Sequence, residues 1–224
     1  AADFDALFRV LSRHGVEFIL YPSDLARQLL LYPVAIGRAK TPPGDPDEHI
    51  IQDRYLLHFV LHGELVHRIR NRQYVARRGD ACLMDLTEKV LHGAGGQRPA
   101  VSYWVSFNGK DMARYYSELR ADREPIFPGL NLPVVSRLFR DLMQVTAHHD
   151  IAYEFRASGL LAQLLGGLCS VRAREQPLVS LGVAARRYSA PVRQGIDWMV
   201  RSYEEPSSLK ALCGKIGVSR CYFS

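Results

Sequence analysis

Between His49 and Phe107 the chain offers short apolar runs cut by turn residues, with no span left for a helix between them. Candidate strands are Ile50–His62, Leu65–Ile69, Gln73–Ala76, Ala81–Leu86, Lys89–His92 and Val101–Phe107, rich in β-branched and aromatic residues. Asn71 and the Gly79-Asp80 pair mark turns. Many short strands without intervening helices predict a double-sheet jelly roll or barrel rather than a βαβ fold.

The flanks differ. Phe4, Leu7, Phe8 and Leu11 recur at helical spacing, predicting a helix over 3–13. A strand over Val16–Tyr21, a Ser23-capped helix through Leu30, a strand over Val34–Ala39 and the turn-rich Thr41–Asp47 follow. After Gly109 the period becomes helical: Lys110–Arg120, a loop over Pro125–Pro133, then helices over Val134–Thr146 and Ile151–Arg174. In the last, Leu160, Leu161, Leu164, Leu165 and Leu168 form a stripe broader than one sheet face needs. Two readings stand open for it, a contact with a second chain or full absorption by the chain's own β-core.

Glu175–Ala190 mixes Pro, Gly and Arg and reads as a linker, with a helix over Pro191–Tyr203 beyond it. Leu209, Leu212 and Ile216 then line one face of a short helix that Ser207 or Ser208 can cap and Gly217 stops. Ser219 can cap a further helix carrying Arg220, Tyr222 and Phe223. Helix, glycine turn and helix with a basic first turn is the layout of a helix-turn-helix DNA reader. The net charge is +6, and from Arg186 onward seven basic residues stand against three acidic, as phosphate attraction requires.

The segment with Ser208, Leu209, Leu212, Ser219, Tyr222, Phe223 and Ser224 resembles the start of the first helix-turn-helix of AraC/XylS-type transcription regulators, with Cys213 where the family usually has alanine. A second stretch, "YLLHFVLHGELVHRIRNRQYVARRGDACLMD", looks like the cupin domain with which those regulators bind small molecules; Tyr55, Leu56, Leu57, Gly63, Gly79 and Asp80 carry it. "SYWVSFNG" matches the final strand of that domain. Members carry two helix-turn-helix modules, and this sequence ends within the second helix of the first, so the reader is expected to be incomplete. Asp85-Leu86-Thr87 replaces a frequent Pro-Pro turn, which alters the expected pocket rim.

The resemblance implies an effector pocket lined by His92, Ser102 and Trp104, with His49 or Arg38 where some members have an arginine. An aromatic face plus directional hydrogen-bonding groups suits a sugar or related metabolite. It also implies an antiparallel dimer contact on the leucine stripe, for which Leu161, Leu164, Leu168 and Val171 are the candidates. Ser219, Arg220 and Tyr222 are the expected DNA contacts.

A cupin barrel also hosts metal-dependent enzymes, the alternative reading here being such an enzyme with a helical tail. Metal-binding cupins present HxH on one strand. His58 and His62, taken to share a strand face, would stand about 13 Å apart, too far for one ion, and His67 lies beyond the Gly63 turn with the opposite parity. No GxSxG, Walker-type or dinucleotide-binding motif is present. No catalytic residue, metal or cofactor is therefore expected.

These observations together predict an α+β chain: a cupin-like effector-binding and dimerisation domain over 1–174 (β-core about 34–109, helices about 110–174), a linker over 175–189 and a partial helix-turn-helix over 190–224. The expected function is effector-responsive transcription regulation, not enzymatic. Promoter DNA, a small-molecule effector, a second copy of the chain and RNA polymerase are the expected partners. The four cysteines lack CxxC spacing, and the sequence has neither a run of eighteen apolar residues nor a secretion signal, which together point to a cytoplasm, and the resemblance implies a bacterial one.

Overall fold

The computed structural model of the chain describes residues 9–12, 15–44, 46–49, 52–147, 152–175, 191, 194–195, 198 and 208–217. Eleven strands form among these: β1 (Arg9–Ser12), β2 (Gly15–Ile19), β3 (Leu31–Thr41), β4 (Asp47–His49), β5 (Tyr55–His62), β6 (Glu64–Ile69), β7 (Arg72–Arg77), β8 (Ala81–Asp85), β9 (Val90–Ala94), β10 (Ala100–Gly109) and β11 (Ile126–Phe127). The helices are α1 (Asp24–Leu29), α2 (Met112–Glu118), α3 (Leu132–Ala147), α4 (Tyr153–Glu175) and α5 (Leu209–Ile216).

Every pairing is antiparallel. One sheet has seven strands in the order β1-β2-β3-β10-β5-β8-β11, the other four in the order β4-β9-β6-β7. This is the cupin-like jelly roll followed by helices. Two of the expected elements differ. Residues 9–12 are a strand, not part of a helix, because Arg9 pairs with Phe18 and Ser12 with Gly15, and cross-strand hydrogen bonds override the local helical period. The loop expected over Pro125–Pro133 contains β11, which closes the large sheet against β8.

Alternation along β5, β8 and β10 sorts the core into two layers. Tyr55, Leu57, Phe59, Leu83, Tyr103, Val105 and Phe107 face the helices, in one apolar cluster with Phe139 of α3 and Leu161, Leu164, Leu165 and Leu168 of α4. Phe139 is fully buried, its ring stacked near Tyr103 at 5.3 Å and Phe59 at 6.3 Å. The opposite face of the large sheet meets the small sheet through two separate apolar clusters. One holds Leu56, Ile69, Cys82, Met84, Leu86 and Val90, the other Val60, Leu65, Ala76 and Ala100.

Ser23 caps α1 as its sequence position predicts, its Oγ accepting from the Ala26 N–H at 3.1 Å. The same hydroxyl donates to Glu154 Oε2 at 2.6 Å, fastening α1 to the start of α4.

The chain divides into two compact units, Ala1–Glu175 and Gln176–Ser224. In the second, α5 has the caps its sequence predicts: Ser208 Oγ accepts from the Ala211 N–H at 3.2 Å, and Gly217 ends the helix at φ +72°. Leu212 and Cys213 are buried there. Residues 191, 194, 195 and 198 have helical backbone. The linker expected over 175–189 lies outside the described residues from 176 onward. Among the described residues no helix is long and apolar enough to cross a membrane.

Candidate functional site

The space between the two apolar clusters of the sheet–sheet interior holds polar side chains. Along β10, Ser102 and Trp104 share the face that carries Ala100 toward the small sheet. Trp104 stands opposite His58 of β5, and His67 of β6 stands opposite His92 of β9. The three imidazoles converge from the two sheets. His58 and His92 have ring centroids 4.5 Å apart, His58 and His67 5.3 Å, His67 and His92 6.1 Å. His58 Nδ1 lies 3.1 Å from His67 Nε2, a hydrogen bond that needs one ring to donate and the other to accept.

All three rings are buried, with exposures of 3% for His58, 0% for His67 and 8% for His92; Ser102 is buried with them, and Trp104 is partly buried. Cys82, opposite His58, supplies no negative charge, since burial pushes its thiol well above the ordinary range. The centre of this jelly roll is therefore a polar, aromatic group of donors and acceptors between two apolar ends. A purely structural core would fill such a space more cheaply with aliphatic side chains.

His92, Ser102 and Trp104 are thus brought together on the interior. Arg38 is not: it stands opposite Tyr103, whose side chain faces the helices, and it is exposed. Strand alternation turns it away from Trp104. The backbone of His49 pairs with Val90, two register steps from the Asp47–His92 pair, while its side chain lies outside the described residues. Leu161, Leu164, Leu168 and Val171 are 1–5% exposed in the chain's own helix-facing core. The chain's own core thus buries these four side chains. Ser219, Arg220 and Tyr222 fall outside the described residues.

His58 and His67 were missed because the parity argument fails at two places. A register shift puts His62 opposite Val101 but Val60 opposite Ser102, so a bulge at Leu61 breaks the alternation linking His58 to His62, and His62 is exposed. Gly63, at φ +71°, then restarts the alternation, so that Leu65, His67 and Ile69 all point inward. A pattern of buried alternate residues within β6 alone, Leu-x-His-x-Ile, is the signal that could have found His67.

Metal ligation calls for side chains disposed around one point. Among the described residues no group of three or more His, Cys, Asp or Glu is so disposed.

Residues 44–165 match the family model described as AraC-like ligand binding domain. Among solved structures, the AraC-like transcriptional activator CuxR is similar at 10% identity and a TM-score of 0.45, covering 89% of this chain and 69% of its own. The cupin domain of an XRE family transcriptional regulator from Enterobacter cloacae is 16% identical with a TM-score of 0.33, covering 42% of this chain and 96% of its own. A cupin superfamily protein from Desulfitobacterium hafniense is 13% identical with a TM-score of 0.31, covering 46% and 84% respectively. No curated protein sequence matches the chain.

Proposed function

Because the chain belongs to the AraC-like ligand binding domain family, we propose that it is a non-enzymatic, effector-responsive transcription regulator whose effector, a sugar or related metabolite, enters the sheet–sheet interior. The observation that carries this reading is the buried group formed by His58, His67, His92, Ser102 and Trp104. The indole offers a face for a sugar ring, and imidazoles and a hydroxyl both donate and accept, as hydroxyl-rich ligands require. The effector replaces the His58–His67 hydrogen bond with contacts of its own.

In this reading the second unit carries the DNA contacts, Ser219, Arg220 and Tyr222, and a homodimer forms through surfaces other than the buried stripe of α4. Promoter DNA is the target and RNA polymerase a partner at the promoter. The effector acts by binding one arrangement of the protein more tightly than another, since equal affinity for both would shift nothing.

Titration calorimetry with a panel of sugars and sugar derivatives tests the effector step. A saturable ligand whose affinity falls about ten- to hundredfold in Trp104→Ala and His58→Gln supports it, the loss expected when a stacking face or a buried hydrogen-bond partner is removed. Saturable binding that neither variant alters moves the pocket elsewhere, and no binding by any member overturns the effector class. Fluorescence anisotropy on promoter DNA checks the second step: Arg220→Ala should weaken binding and lower its salt dependence.

A further inference from the structure

A cavity of about 420 Å³ lies away from the histidine group, between the β6–β7 hairpin and the segment that joins α2 to β11. Its volume falls in the range of small-molecule sites. Arg70, Arg72 and Tyr74 line one wall, Asp122, Arg123 and Pro125 the other, so three guanidiniums face a single carboxylate.

Their commitments differ. Arg70 is engaged by Glu88. Among the described residues Arg123 pairs only with its neighbour Asp122, at 3.6 Å, and its side chain is 82% exposed. Arg72 is exposed and makes no ion pair among the described residues. Two planar forks are thus available to an incoming oxyanion, which guanidinium binds in bidentate fashion.

Both walls are fixed in advance. The hairpin turns on Arg70 and Asn71, at φ +48° and +62°, a two-residue turn of the type that ordinarily selects Asn or Gly at both places. An arginine held there against its backbone preference fits a position kept for its side chain. The opposite segment is clamped by Arg172 of α4, which donates from Nε to the Leu119 carbonyl at 2.9 Å and from a terminal nitrogen to the Ile126 carbonyl at 3.2 Å. It also bonds the Glu124 carbonyl, and its guanidinium lies over the Phe127 ring, 4.1 Å from the centroid. Pre-set walls lower the ordering cost of binding.

We propose that this cavity is a binding site for a small organic anion, a phosphate- or carboxylate-bearing metabolite, with its charged group on Arg72 and Arg123 and its body against Tyr74 and Pro125. The site is separate from the interior effector pocket and stands whether or not a sugar binds there.

The test is titration calorimetry of the whole chain in about 150 mM potassium chloride, where surface charge is largely screened. Inorganic phosphate, glycerol 3-phosphate and citrate are the probes, and glycerol is the uncharged control. The expected result is one saturable site for an organic anion, at least about tenfold tighter than inorganic phosphate, with Arg72→Gln and Arg123→Gln each weakening it about tenfold. Both arginines are exposed, so the variants keep the fold, and Val134→Ala, at an exposed position on α3, should leave anion affinity unchanged. Glycerol 3-phosphate binding without citrate assigns the phosphate class, and the reverse assigns the carboxylate class. The proposal is overturned if no probe saturates, if neither arginine variant changes the affinity, or if all three anions bind equally and chloride displaces them alike. Binding of duplex DNA that these variants abolish, with none of the small anions bound, would reassign the arginines to a nucleic-acid contact and also overturn it.

Discussion

The carboxylate of Asp80 accepts from the Arg77 N–H at 2.9 Å through Oδ2 and from the Gly129 N–H at 3.1 Å through Oδ1. One side chain therefore closes the β7–β8 turn and ties the segment after β11 to it. Asp80→Ala should destabilise the first unit by about 2–3 kcal/mol, since each charged acceptor is worth roughly 1.5 kcal/mol or more. Asp80→Asn keeps one acceptor oxygen and should lose about half as much. Urea denaturation reads both, and an Ala variant within about 0.5 kcal/mol of the parent would sink the account. The Gly79-Asp80 pair is legible as a turn because both residues have turn chemistry. Its tie to Gly129 is not, because the partner is a backbone N–H far along the chain and carries no residue signature. The same limit applies to His67, whose role depends on where Gly63 restarts a strand.

At the scale of elements, α3 and α4 were legible nearly to their ends, because sixteen and twenty-three residues give several turns of periodic signal. The two-residue β11 gives none, and it exists only because β8 offers it an edge. The breadth of the α4 stripe followed from its position, since the helix packs against both α3 and the large sheet and so buries more than one line of leucines. Phe139 joins these layers. Phe139→Ala should cost about 3–5 kcal/mol through the lost burial and the void left between Phe59 and Tyr103. Val134, on the same helix but 54% exposed, should cost less than about 0.5 kcal/mol when cut to Ala. Thermal and urea unfolding of the pair of variants compares them directly, and equal losses would mean that α3 is not seated on the sheet through Phe139.

For the whole molecule, the jelly roll was legible from many short strands without intervening helices, whereas the meeting of groups across its two sheets was not. Sequence spacing carries no information about which strand of one sheet overlies which strand of the other. On the other side of the large sheet, Tyr55 of β5 and Tyr116 of α2 meet at the boundary with the helices, their ring centroids 5.2 Å apart. Burial, and then the Asp85 and Asp53 carboxylates, push the Tyr55 hydroxyl up to about 12. Burial and then Asp85 raise Tyr116 as well. In the unfolded chain both titrate near about 10. Above that pH the unfolded chain sheds protons that the folded one still holds, so the contribution of these groups is fully present below about 10 and is lost as pH climbs through about 12. Far-UV circular dichroism and tyrosinate absorbance should therefore show the last tyrosines ionising together with loss of structure. Tyr116→Phe removes one such group and should move the alkaline midpoint to higher pH, even if the lost hydroxyl contact costs about 1 kcal/mol at neutral pH. Complete tyrosine ionisation near pH 10 with the fold intact, or a Tyr116→Phe midpoint that stays in place, would show that this layer boundary is open to water.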